Sequence, residues 1–255
     1  MRYTHTYRML LILLLIVVLL LLNLLLGSVS IPAQSIWNIL TGTGNEPVSW
    51  QNIVWKSRLP QALTALAAGA GLAVSGLQMQ TVFRNPLAGP SVLGISSGAS
   101  MGVAFVILLS GSLGGVALSR LGVMGEIALS VAAIIGSLSV MALIVYVSQK
   151  VKGNVTLLII GVMIGYVSNA VIGVLKFFSV EEDIRAYVIW GLGSFSRVSG
   201  NQMMLFVTLM AISLPLSFLL IKTLNLMLLG DGYARNLGLN IKRARLLVIV
   251  SAGVL

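Results

Sequence analysis

Few side chains in this chain could carry chemistry, and their spacing excludes most of it. His5, in the N-terminal tail, is the only histidine, and there is no cysteine. Disulfides, thiolate metal sites and cysteine nucleophiles are therefore excluded, and a histidine-based metal site or general base has almost nothing to build it. Glu126 is the only acid beside a long apolar run, so the carboxylate pairs that intramembrane acid–base work needs are missing. No lysine follows a glycine, which removes the G-x-x-x-x-G-K-[ST] phosphate loop and any ATP-driven step of the chain's own. What remains is the amides Gln78 and Gln80, the turn Arg84-Asn85-Pro86, the basic residues Lys56 and Arg58, and a Gly-interrupted basic stretch at 228–245.

The elements that must position them are membrane helices. The chain is 58% hydrophobic and 9% charged, against about 25% charged in soluble domains. A net charge of +10 is scattered between apolar spans and forms no stripe that could track phosphates, so nucleic acid is not a partner. The central stretch is uncharged from 59 to 83, 25 positions, and at about 1.5 Å per residue it exceeds a hydrocarbon core of about 30 Å. Gly69, Ala70, Gly71, Ala73, Ser75 and Gly76 lie within it, and such small residues let helix backbones approach where lipid gives no hydrophobic drive. Gln78 and Gln80 need protein or water as partners there. Pro86 and then Gly89-Pro90 interrupt the helix, which specifies a tight turn before the next apolar segment.

Further spans follow. Residues 9–26 form an almost pure Leu/Ile/Val run, longer than a signal-peptide core and without an A-x-A-like site after it, so it reads as a first span. Residues 27–57, with Trp37, Trp50 and Trp55, read as lying along the membrane surface, since tryptophan favours the headgroup layer. Segments 127–149 and 153–175 each offer 23 uncharged residues around the basic turn Lys150-Val151-Lys152. Gly161 and Gly165 make a small-xxx-small pair for either packing or a pathway wall. Glu181-Glu182-Asp183 opens a short amphipathic helix outside the bundle, and a span kinked at Pro215 comes after it.

Gly76, Gln80, Phe83, Asn85-Pro86-Leu87-Ala88, Pro90, Leu93-Gly94 and Ser97-Gly98-Ala99 resemble the signature of the FecCD-type permeases, membrane subunits of ABC importers for iron-siderophores, haem and vitamin B12. Leu229-Gly230-Asp231, Ala234 and Leu237-Gly238-Leu239 resemble that family's coupling loop at the position where its pattern puts it. The resemblance implies an all-α polytopic bundle of the type II ABC importer permease fold, with spans at roughly 9–26, 59–83, 91–110, 127–149, 155–176 and 202–221 and the start of a seventh at 246–255. It implies a single permease domain with a cytoplasmic coupling loop at 228–245, where Gly230, Asp231, Ala234, Arg235, Leu237 and Gly238 meet an ATPase subunit. Gln80, Asn85, Pro86, Leu87, Ala88, Gly94 and Gly98 are its structural motif residues. It also implies ABC ATPase subunits carrying the ATP and Mg, a periplasmic or lipoprotein substrate-binding protein, a second permease copy and the lipid bilayer as partners, with no cofactor or metal on this chain.

Two smaller assignments come from the same resemblance. Lys56 and Arg58 match the position where such permeases offer basic residues to the binding protein; interfacial snorkelling accounts for them equally well. Asn154 and Thr156 fall where a cytoplasmic gate would close, although Asn154 also suits an ordinary helix N-cap. With the N-terminus cytoplasmic, inside segments hold ten basic residues and outside segments six, the bias expected of a multi-pass protein in a bacterial inner membrane. Ten apolar residues at the C-terminus would span half a bilayer, so a C-terminally truncated permease is expected. A membrane-embedded enzyme lacks residues for its chemistry, and a non-transporting scaffold or degenerate half-permease is the other reading.

Overall fold

The computed structural model describes residues 2–112, 123–151, 154–195, 198 and 200–255. Every regular element among them is helical, as an all-α chain requires. Arg120, Lys152 and Arg197, counted in the topology, lie outside the described residues, as do the side chains of His5, Glu126 and Asn154. The chain divides into two compact units, Met1–Gly69 with Ser194–Ala211 and Ala70–Gly193 with Ile212–Leu255.

In the first unit, α1 (Arg2–Leu25) is followed by the short amphipathic α2 (Ala33–Thr41) and α3 (Val48–Ile53). Gly42 ends α2 in the left-handed conformation and its N–H donates to Asn38 O, the usual way to close a helix with glycine. Ile31, Ile36, Ile39 and Val54 form a small core here, flanked by Leu25, Trp50 and Ile53. The end of the 27–57 stretch is continuous with the helix that follows it. A wide turn at Val54–Arg58, with Leu59 N–H donating to Val54 O, carries α3 directly into α4 (Leu59–Phe83). Pro60 supplies the reason: it has no N–H for the carbonyl of Lys56, and the widening falls immediately before it. The result is one continuous apolar helix of 36 residues, Val48–Phe83.

The second unit begins within α4. After the turn, a short tight helix at Pro90–Leu93 and a left-handed Gly94 (φ 74°) precede α5 (Ile95–Ser112). A span from 91 to 110 is therefore not one helix; its regular part starts at Ile95. Next come α6 (Val123–Lys150), α7 (Asn154–Phe178) and α8 (Glu181–Gly191), which carries its three acids in the first turn, where the helix dipole favours them. Small residues set the packing. A Cβ on Gly98 would sit 2.6 Å from Gly136 O, and one on Gly161 would sit 2.7 Å from Val92 O, so α5 meets α6, and the Pro90–Leu93 turn meets α7, backbone to backbone. Gly161 is thereby a packing residue.

Residues 212–218 end α9 (Gly200–Phe218), and α10 (Ile221–Leu228), α11 (Asp231–Asn236) and α12 (Ile241–Val254) follow. The bend between α9 and α10 is 50°. It lies at Leu219-Leu220, where both amides make turn bonds to Leu216 O and Ser217 O; Pro215, the expected kink, sits inside the helix. The stretch 241–245, assigned to a loop, belongs to α12, whose start is capped by Asn240 Oδ1 accepting from Arg243 N–H at 3.1 Å. By length and apolar composition, four described helices can cross a membrane, or five if α9 with α10 counts as one bent span, and α5 is a shorter apolar helix.

Candidate functional site

The site is built where α4 ends. Asn85 N–H donates to Gln80 O at 3.1 Å and Arg84 N–H to Thr81 O at 3.3 Å, the paired bonds that close a helix through a left-handed residue. That residue is Arg84, at φ 48°, the one described non-glycine with positive φ. Glycine usually occupies this position, and an L side chain there costs roughly 1–2 kcal/mol. The next residues form a self-contained turn: Leu87 N–H donates to Asn85 Oδ1 at 3.0 Å and Ala88 N–H to Asn85 O at 3.0 Å. Ala88 is buried, while Leu87 is 86% exposed. Pro86, directly before Leu87, is exposed.

The Arg84 guanidinium reaches across to the loop that follows α10. Its Nε–H donates to Met227 O at 3.2 Å, and its NH2 group pairs with Asp231 Oδ1. Arg245, near the start of α12, approaches the other oxygen, Asp231 Oδ2, at 3.6 Å. One carboxylate at the first position of α11 is thus held by two arginines from two different segments. Asp231 and Arg84 are half-exposed, whereas the Arg245 side chain is 7% exposed. Burial pushes the Arg245 guanidinium below its ordinary value, the charge of Asp231 opposes this, and Arg84 adds to the lowering. Without Asp231, two cations would face each other with one of them buried.

The loop residues divide by role. Gly230 (φ 109°) lets the chain turn into α11, and Gly238 (φ 86°) lets it leave. Ala234 is fully buried and its carbonyl accepts from Leu239 N–H at 2.9 Å, which seats α11. Tyr233 and Arg235 of this short helix are exposed, as is Leu237 immediately after it. A core of Met79, Val82 and Phe83 from α4, Ala88, Met227 from α10, and Ala244, Val248 and Ile249 from α12 lies beside the loop, with Leu239 packed against it. Of the amides, Gln78 is buried and its Nε2 donates to Ser251 Oγ of α12 at 3.1 Å, while Gln80 is exposed.

The remaining predicted residues lie elsewhere. Arg58 is 5% exposed and turned inward: it donates to Leu24 O at 2.6 Å, Leu25 O at 3.0 Å and Val29 O, closing the carbonyl end of α1. The expected basic pair is not presented as a pair, because helix-end carbonyls without intrahelical donors hold one member; Lys56 alone is exposed. Asn154 is the first residue of α7 and Thr156, in its first turn, is exposed. Gly94 and Gly98 are buried at the contacts with α7 and α6. Reading the sequence missed Arg84 and Arg245 as site residues. The available signal was an arginine standing directly before Asn-Pro, where a helix that must stop would ordinarily carry glycine.

The FecCD transport family model matches residues 14–255. The chain belongs to the FecCD transport family. FecCD relatives include the hemin transport system permease protein HmuU of Yersinia pestis, 34% identical over 231 residues, or 90% of this chain and 66% of that protein. Another is the vitamin B12 import system permease protein BtuC of Serratia proteamaculans, 34% identical over 238 residues, covering 91% of this chain and 68% of that one. Among solved structures, one described as an inward-facing conformation of a metal-chelate type ABC transporter matches with a TM-score of 0.76 at 30% identity, covering 94% of this chain and 70% of that chain. The chain spans 66% and 68% of the length of these two relatives. Its fold is the all-α permease fold of that structure, and both halves of the arginine-held site, the turn after α4 and the α10 to α12 loop, fall within the matched residues.

Proposed function

We propose that the chain is the membrane-spanning permease subunit of an ATP-driven ABC importer in a bacterial cytoplasmic membrane, passing an iron-siderophore, haem or cobalamin-type chelate inward. The observation that carries this reading is the family match over residues 14–255. The relatives named for hemin and vitamin B12 point to large polar chelates as the substrate class. Hydrolysis belongs to separate ATPase subunits that hold ATP and Mg, and the permease binds no cofactor itself.

In this reading the exposed residues of α11 and of the turn that follows it are the coupling surface. Asp231 and Ala234 seat the helix while Arg235 and Leu237 face the ATPase, and Gly230 and Gly238 give the loop its shape. Closure of two ATPase subunits on ATP would push α11 and rock the helices attached to it. Lys56 would meet an acidic patch of the substrate-binding protein, Thr156 and Asn154 would border the cytoplasmic gate, and a second permease copy would complete the passage. The ten-to-six division of basic residues supports a cytoplasmic N-terminus.

The test is co-expression of the full reading frame with its neighbouring ATPase gene, reconstitution in liposomes, and uptake of hemin, cobalamin and ferric siderophores. Accumulation that depends on ATP and is lost when Gly230 and Gly238 are replaced by bulky residues supports the assignment. A protein that never recruits an ATPase would leave the scaffold reading in its place.

A further inference from the structure

We propose that Arg84 is a positioning residue for the coupling loop, a latch that makes the cytoplasmic turn of α4 and the helix α11 move as one piece. This deepens the importer reading and rests on it. Three observations lead to it. Arg84 stands in the left-handed position that closes α4, with Asn85 N–H on Gln80 O and its own N–H on Thr81 O. Glycine satisfies that backbone without strain, so the arginine is not explained by helix closure. Its side chain holds the end of α10 through Met227 O and the start of α11 through Asp231, and Asp231 in turn holds Arg245 of α12. The strain at Arg84 coexists with contacts to two chain segments that are more than 140 residues further along.

The mechanical consequence is specific. α11 has only six residues, too few to be stable by itself, and beyond the Arg84 and Arg245 contacts it is held by Ala234 and the short bonds at its ends. A force on its exposed face reaches α4 through the Arg84–Asp231 pair, and α4 carries Gln78 and its bond to Ser251. Release of the latch would leave α11 able to shift without moving α4.

The two accounts of Arg84 predict opposite results for Arg84→Gly. If the residue only ends a helix, glycine relieves the strain and nothing else changes. If it is a latch, hydrogen exchange of the amides at 231–236 rises by on the order of tenfold, while the thermal stability of the whole chain is unchanged or higher. Asp231→Asn should loosen 231–236 at least as much, because it also releases Arg245, adding Arg84→Gly to Asp231→Asn should change little further, and Arg84→Lys, which keeps the charge but not the planar fork, should rescue in part. In the complete complex, chelate transported per ATP hydrolysed should fall in Arg84→Gly. Unchanged exchange at 231–236 in Arg84→Gly overturns the proposal, and so does faster exchange with wild-type transport per ATP. A wild-type chain that recruits no ATPase would instead overturn the importer reading, and the exchange measurement would still decide whether the latch exists.

Discussion

Replacement of Gly94 by alanine isolates what the glycine contacts contribute. Gly94 has φ 74°, and a Cβ there would lie 2.9 Å from Gly161 O and 3.4 Å from both Gly165 N and Ile164 Cγ2. Two costs follow. The left-handed backbone charges an L side chain roughly 1–2 kcal/mol. The overlap with a backbone oxygen, which cannot rotate away as a side chain would, adds about 1–3 kcal/mol of overpacking. The loss of glycine's freedom in the unfolded chain returns about 0.4–1 kcal/mol. The net expectation is destabilisation by about 2–4 kcal/mol. Gly173→Ala on α7 is the matched control, since nothing lies within 4 Å of its Cβ position, and an alanine in a helix interior should stabilise by about 0.8–1 kcal/mol. Equilibrium unfolding of both variants in mixed micelles, followed by circular dichroism, measures the difference. Equal stabilities for the two would refute the claim that the Gly94–Gly161 approach is tight.

Three further outcomes are expected. Arg58→Met should expose the carbonyl end of α1 and destabilise the first unit by about 2–3 kcal/mol, the loss of charge-assisted bonds to buried acceptors; unaltered proteolysis of the 24–30 region would show that the cap is dispensable. Lys56→Glu should weaken capture of the substrate-binding protein in a salt-dependent way without changing stability, and salt-independent affinity in wild type and variant alike would remove Lys56 from that interface. Asp183, buried at the start of α8 with no partner for Oδ2, has its carboxyl pushed above the ordinary aspartate value first by burial and then by Glu182. Because the folded chain holds that proton more tightly than the unfolded one, stability should fall as pH rises from the ordinary aspartate value through the raised one. Asp183→Asn should flatten this slope and raise the melting temperature by a few degrees at neutral pH, and an unchanged slope would show that the carboxyl is solvated.

The sequence made the apolar helices legible because lipid imposes a length and forbids charge, and both are visible one residue at a time. α4 ends where the last uncharged residue stands, at Phe83. The irregular pieces were not legible. Leu219-Leu220 bends a helix without proline or glycine, and the widened turn at Val54–Arg58 keeps a helix going through a stretch that reads as polar. At Leu219-Leu220 the deciding bonds are backbone bonds that no side-chain type announces, whereas at Val54–Arg58 the signal was Pro60, which reads as a helix break and instead widens a turn of a continuing helix. At the site, the motif residues of the turn and of the loop could be picked out separately. Their meeting could not, because it depends on Arg84 and Asp231, 147 positions apart.

The arginines also alter what the charge count means. Counting basic residues treats each as a free reporter of the side of the membrane on which it lies. Arg84 and Arg245 are bound to Asp231, and Arg58 is bound to the carbonyls of α1. Each has a local reason to be where it is that would hold in either orientation. Without these three, the balance of ten inside and six outside becomes eight and five, so the direction of the bias survives although its strength does not improve. The expected orientation therefore rests on the remaining eight and five, among which Lys150 and Lys176 lie over the rings of Tyr146 and Tyr187. The bound arginines instead belong to a second layer of information, in which a charge near a helix end closes that end or ties it to another. That layer makes Arg84 the residue at which the coupling reading is most open to experiment.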